Sequence, residues 1–181
     1  DPSLGTYSWT QIGQDIDGEA SYDYSGSSVS LSGDGNTVAI GAYNNDGNGS
    51  YSGHVRLYTK ISDPSLGTYS WTQIGQDIDG EAAGDNSGRS VSLSGDGNTV
   101  AIGARYNDGN GSYSGHVRLY TKISDPTLGT WTWTQVGQDI DGEAAGDQSG
   151  YSVSLSSDGN TVAIGAPGND GNGSYSGHVR L

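Results

Sequence analysis

The block DPSLGTYSWTQIGQDIDGEA starts at Asp1, returns unchanged at Asp63 and recurs as DPTLGTWTWTQVGQDIDGEA at Asp125, a period of 62 residues. A chain that repeats itself in this way is an array of one supersecondary unit, so the unit rather than the overall length decides the fold. The units run 1–62, 63–124 and 125–181, and the last stops at Leu181, where the earlier two continue through Tyr58-Thr59-Lys60 and Tyr120-Thr121-Lys122.

Within a unit the apolar residues alternate with polar ones, the period of strands. Ser28 to Ser32 places Val29 and Leu31 on one face, Thr37 to Ala42 places Val38 and Ile40, and His54 to Lys60 places Val55 and Leu57. A fourth run spans Tyr7 to Ile12. Ser32-Gly33-Asp34-Gly35-Asn36 reads as a tight hairpin, because Asp-Gly and Gly-Asn supply positive φ angles. Asn44 to Gly53 reads as a longer loop, and Asp63-Pro64 and Asp125-Pro126 as connections where proline removes no ladder hydrogen bond. Ala39 and Gly41, on the other face of the second strand, leave room for a second sheet to approach. Four short strands per unit without helical periodicity predict an all-β chain of four-stranded antiparallel β-propeller blades.

Hydrophobic residues make up only 31% of the chain, yet Val, Ile, Leu and Trp recur at regular spacing, which separates this sequence from low-complexity disorder. A formal net charge of −14 argues against nucleic acid and against an anionic membrane surface as partners. No apolar run is long enough to span a bilayer and no signal peptide is legible, while the start at Asp1 reads as a processed or trimmed product. Without cysteine there is neither a disulfide nor a thiolate metal site. Asn48-Gly49-Ser50, Asn110-Gly111-Ser112 and Asn172-Gly173-Ser174 fit the N-glycosylation pattern, but Asn-Gly is first of all turn chemistry.

The segments SGYSVSL, AIGAP and SGHVRLY occur in an order and spacing that resembles the FG-GAP repeats of integrin-α-like β-propellers. Ser-Gly stands where that motif has Phe-Gly, and only Pro167 completes Gly-Ala-Pro. The resemblance implies that the fourth strand is outermost in each blade. Residues 1–25 then hold an outer strand and a connector, 26–87 form blade one, 88–149 blade two, and 150–181 a third blade with three strands. It also implies an extracellular or cell-surface origin.

Three blades cannot close a ring, since propellers hold about four to eight. Two copies give six, and the orphan strand at residues 7–16 matches the strand that the third blade lacks. The expectation is a strand-swapped homodimer in which each N-terminal strand completes the partner's last blade.

Where near-identical units differ, the differences carry information. Units one and two differ at six places: Ser21/Ala83, Tyr22/Gly84, Tyr24/Asn86, Ser27/Arg89, Tyr43/Arg105 and Asn44/Tyr106. Unit three varies at Gln148, Tyr151, Pro167 and Gly168. These positions fall in loops on one side of the propeller and use residue types that make adaptable contacts, so Tyr22, Tyr24, Tyr43, Arg89, Arg105, Tyr106 and Tyr151 form a candidate binding face for a glycan or protein ligand. Drift in tolerant exposed loops is the competing explanation.

Acids at alternating positions make a calcium candidate: Asp15, Asp17, Glu19 and Asp23, repeated as Asp77, Asp79, Glu81 and Asp85, and as Asp139, Asp141, Glu143 and Asp147. The competing reading is an ordinary Asp-Gly turn. The resemblance implies calcium elsewhere, in an acidic loop between the first and second strands, but here that loop holds one acid, Asp34. Asp46 to Ser50 lacks the later bidentate acid of an EF-hand.

His54, His116 and His178 each share a strand face with Arg56, Arg118 or Arg180, and their recurrence in every unit predicts a structural hydrogen bond rather than a catalytic base. Trp9, Trp71, Trp131 and Trp133 read as blade packing. No glycine cluster precedes a helix, so none cradles phosphate. The sequence therefore predicts a non-enzymatic, self-assembling recognition scaffold without a required cofactor. Repeats this alike favour a symmetrised product over an intact natural chain, with recent duplication as the alternative; an extracellular, lectin-like adhesion propeller is the second functional class.

Overall fold

The computed structural model describes Gly5, residues 8–127 and residues 129–181. These residues form three antiparallel sheets, with no helix among them. The first sheet is a meander of β1 (Ser28–Leu31), β2 (Thr37–Ala42), β3 (His54–Asp63) and β4 (Thr68–Gln73), with β5 (Ile78–Asp79) also on β3. β4 pairs with the far half of β3, Tyr58 to Asp63, and β5 with its start, His54 and Val55. The two are one outer strand interrupted around Gly75, a glycine at φ 71°.

The second sheet repeats the first as β6 (Ser90–Leu93), β7 (Thr99–Ala104), β8 (His116–Asp125), β9 (Thr130–Gln135) and β10 (Ile140–Asp141). The third holds β11 (Ser152–Leu155), β12 (Val162–Ala166) and β13 (His178–Arg180). Each sheet is a propeller-like blade. The innermost strands β1, β6 and β11 lie beside one another, and their hairpins are joined by Gly33 N–H to the Gly95 carbonyl and Gly95 N–H to the Ser157 carbonyl, both 2.8 Å.

Blades pack face to face through the alternation read in the sequence. Between the first and second blades Ala39, Val55, Leu57 and Ile78 meet Val91, Leu93, Val100, Ile102 and Trp133; between the second and third, Ala101 and Val117 meet Leu155 and Ile164. Full burial of each large aliphatic side chain contributes roughly 1.5–3 kcal/mol, so each junction rests on several of them. Serine hydroxyls lock the faces: Ser30 Oγ accepts from Leu93 N–H and Ser92 Oγ from Leu155 N–H, each at 2.9 Å.

Two expectations shift. The third strand is longer than read, because Ile61 to Asp63 and the facing Thr68 to Ser70 pair beyond the blade body. The strand expected at residues 7–16 is not formed: Tyr7 lies outside the described residues, and residues 8–16 join no ladder. Its equivalents at β4 and β9 each pair with the third strand of the preceding unit, and among the described residues no strand precedes residue 8. Residues 11–15 nevertheless hold the contacts of their later copies. Gln14 Nε2 donates to the Trp71 carbonyl at 3.0 Å and Trp71 Nε1 to the Ile12 carbonyl at 2.9 Å, as Gln76 and Trp133 do with Trp133 and Ile74 at 2.9 Å each.

Candidate functional site

The loop between β2 and β3 folds on itself through Asp46 Oδ1, which accepts from Tyr51 N–H at 2.8 Å, and Asn45 Oδ1, which accepts from Gly47 N–H at 2.8 Å. Tyr51, Tyr113 and Tyr175 all sit in the left-handed region, near φ 57°, 55° and 52°, so the turn throws each ring outward. Beside it the connector from one blade's outer strand to the next blade carries Tyr24, Asn86 and Gln148 in the same left-handed conformation.

These two loops bring six of the seven proposed face residues into one row. Tyr24 stacks on Tyr43 at 5.6 Å between centroids; Arg89 lies 5.6 Å from both Tyr43 and Tyr151; Arg105 lies 5.4 Å from Tyr151 and 4.3 Å from Tyr106. Cation–π contacts of this kind contribute about 0.5–1 kcal/mol each at exposed sites. Tyr22 is exposed and stands outside the row. The row ends at a groove of ≈ 960 Å³ whose walls include Tyr51, Glu81, Asn86, Tyr106, Tyr113 and Gln148. Of the predicted face only Tyr106 lines it. Tyr51 and Tyr113 escaped the sequence reading because they are identical in every unit, and differences between units cannot select an invariant residue.

The acidic runs are dispersed. In the first, Asp15 Oδ1 accepts from Gln11 Nε2 at 2.9 Å, the Asp17 carbonyl from Arg56 Nη2 at 2.7 Å, and Asp23 Oδ2 from Ala20 N–H at 3.1 Å and Asn45 Nδ2 at 2.9 Å. In the second and third runs Asp77, Asp85, Asp139 and Asp147 accept in the same way, while the main-chain carbonyls of Asp79 and Asp141 accept from Arg118 and Arg180. One run therefore does not wrap its own four acids around one centre, the arrangement the calcium reading required. Strand and turn geometry sends successive side chains to different partners. The inner hairpin does not fit calcium either: Asp34 accepts from Ser32 Oγ, Asn36 N–H and Asn36 Nδ2. Those bonds hold the Asp34 carboxyl down to about 2.

Instead the runs cooperate across units. Glu81, from the connector into blade two, Asp139, from that blade's outer strand, and His116, at the start of β8, have ligand atoms within 4.8 Å of one another, as do Glu19, Asp77 and His54. Among the described residues these are the two such groups. His116 Nδ1 is 3.7 Å from Glu81 Oε2 and 3.8 Å from Asp139 Oδ2, and His54 Nδ1 is 3.8 Å from Glu19 and 4.0 Å from Asp77. Arg118 Nη1 approaches the other oxygen of Glu81, at 3.5 Å. His116 is 1% exposed, and neither ring nitrogen has a hydrogen-bond partner. The structural hydrogen bond expected of this histidine is thus not made. Burial, and next the Arg118 charge, pushes His116 below its ordinary pKa, while burial pushes Glu81 up.

The FG-GAP repeat family matches residues 16–58, 78–120 and 138–180, more than half of the chain. The chain belongs to the FG-GAP repeat family. A search of curated proteins returned no match. Each matched FG-GAP stretch runs from an acidic connector through the third strand, so it contains both the Glu and the His–Arg pair that meet. The Ser that stands for the motif's Phe is buried at Ser87 and Ser149.

Proposed function

We propose that this FG-GAP chain is a non-enzymatic recognition scaffold that closes into a six-bladed β-propeller by pairing with a second copy. One observation carries the reading: the two ends of the array present the unmatched halves of a junction that occurs twice inside it. Val29 and Leu31 are 63% and 58% exposed, whereas their equivalents Val91 and Leu93 are buried under the first blade. At the other end Val179 is 67% exposed, whereas Val55 and Val117 are fully buried. Trp9 is exposed while Trp133 is buried, and Val136, the equivalent of the buried Ile74 that receives Trp133, is exposed. Each half fits the other because both are copies of surfaces already seen joined. Covering these side chains would contribute roughly 1.5–3 kcal/mol each.

Light scattering on a size-exclusion column tests this. The expected mass is twice the 18.6 kDa of the chain at micromolar concentration. A single-chain mass, or pairing that survives removal of residues 1–16, overturns it.

The row of Tyr and Arg side chains and the adjoining groove support a second reading, that the scaffold binds a glycan or protein on this face, since rigid aromatic surfaces flanked by polar groups suit both. A glycan array compared with its Tyr43→Ala/Tyr106→Ala counterpart tests it; equal signals from both proteins sink it. Every acid and histidine of one unit recurs in the sequence of the other two, which argues against an active site.

A further inference from the structure

We infer that each blade, where its incoming connector meets it, holds a binding site for a divalent transition-metal cation of the zinc class, formed by the glutamate of that connector, the histidine of the third strand and the aspartate of the outer strand. The argument starts from what the histidine lacks. A buried imidazole with neither nitrogen paired is costly unless something supplies a partner, and His116 points Nδ1 at two carboxylate oxygens that are 3.7 and 3.8 Å away, too far to accept a hydrogen bond. Three ligand atoms each about 2.1 Å from a zinc ion in tetrahedral geometry stand about 3.4 Å apart; the two His116 separations, 3.7 and 3.8 Å, are close to this, and all three ligand atoms already lie within 4.8 Å of one another. One imidazole and two carboxylates match the borderline hardness of zinc rather than the all-oxygen shell of calcium.

The surroundings fit. Glu81 divides its two oxygens, one toward Arg118 at 3.5 Å and one toward His116, so the arginine orients the carboxylate while leaving a ligand oxygen available. The carboxylate side is open, with Glu81 and Asp139 side chains 42% and 29% exposed, which gives an ion a path in and leaves a coordination position facing outward. Glu81 also lines the groove beside Tyr106, which sets that position at the edge of the candidate binding face. The same triad recurs at Glu19, His54 and Asp77.

The third copy is divided. Glu143 Oε2 lies 3.6 Å from His178 Nδ1, and the aspartate that would follow by repetition is represented by Asp15 at the other end of the chain. This third site rests on the pairing reading, because only a second copy can bring Asp15 to Glu143 and His178. The first two sites do not.

The experiment counts zinc bound per chain, by calorimetry and elemental analysis on EDTA-treated, dialysed protein titrated with zinc chloride in the presence of a hundredfold excess of Ca²⁺. At least two equivalents per chain are expected, with one lost in E81Q, one lost in D139N and two lost in E19Q/E81Q, circular dichroism being unchanged in all. Three equivalents, reduced to two by E143Q, support the metal sites and the paired ring together. Two equivalents, unaffected by E143Q, support the metal sites and overturn the paired ring. Fewer than two equivalents, or an uptake that E81Q and D139N leave unchanged in folded protein, overturns the metal sites.

Discussion

Gly41 lies so close to the carbonyl of Gly88 in the next unit that a Cβ at position 41 would fall well inside 3.0 Å of that oxygen, a separation Cβ atoms do not tolerate. Gly103 stands in the same relation to Gly150. Gly165, their equivalent, meets only Ser152 of its own sheet, and Gly26, the equivalent of Gly88 and Gly150, has nothing within 4 Å of its Cβ position. Gly103→Ala must push two blades apart and should lower stability by about 1–3 kcal/mol, the range for overpacking. In a single open chain Gly165→Ala disturbs one serine hydroxyl and should be milder; in the paired ring it should match Gly103→Ala. Urea denaturation of the two variants side by side separates these outcomes.

Tyr22 occupies a position where the other units carry Gly84 and Gly146, and all three backbones have positive φ, at 70°, 90° and 87°. Holding a bulky residue there costs of order 1–3 kcal/mol. Tyr22→Gly is therefore expected to raise the midpoint of thermal unfolding by a few degrees, the release of strain outweighing the entropy glycine adds to the unfolded chain. A lower midpoint would show that the Tyr22 ring is held by contacts that stabilise it.

Acid should weaken the inner hairpins. Asp34 titrates at about 2 instead of its ordinary 3.8, because Ser32 Oγ and then the Asn36 amide groups donate to its ionised form, and Asp96 and Asp158 are lowered by the same arrangement. A depressed carboxyl contributes stability that is complete above the unfolded pKa and disappears as pH falls through the folded one. The window is therefore from about pH 4 down to about pH 2. Denaturation across that range should show the loss in the parent protein and a shallower one in the triple Asp→Asn variant at 34, 96 and 158; equal slopes would discard the assignment.

A second acid limb belongs to the histidines. Burial lowers His54 and His116 from their ordinary 6.5, with the carboxylates of Asp77 and Glu19, and of Asp139, Asp85 and Asp141, acting in the opposite direction. The unfolded side chains take up protons near pH 6.5 before the folded ones do, so stability should fall as pH drops below about 6.5, without zinc present. Imidazole resonances of His116 that titrate at or above 6.5 in the folded protein would contradict this.

The blades were legible because hydrophobic alternation and Asp-Gly hairpins act within a few residues of sequence. Thr37 to Ala42 is a strand for reasons visible in those six residues. The variable row from Tyr24 to Tyr106 was legible because its members differ between units. What stayed hidden was what two units make together. Glu19 and Asp77 look like members of separate Asp-Gly turns, and nothing in either run reveals that the fold brings both carboxylates to the Nδ1 of His54. The glycosylation-like Asn48 is likewise explained from outside its own unit, since its Nδ2 donates to the carbonyls of Gly80 and Glu81 at 2.8 and 3.1 Å.

Arg118 and Arg180 each reach back 39 residues across a blade junction to donate to the carbonyls of Asp79 and Asp141. The two junctions are thus the same joint made twice, and such a joint does not record whether its halves share a peptide chain. Covalent continuity between neighbouring blades is a convenience of synthesis rather than a requirement of fit, so a cut within the exposed Glu81 to Gly84 connector should leave the seam between the first two blades closed.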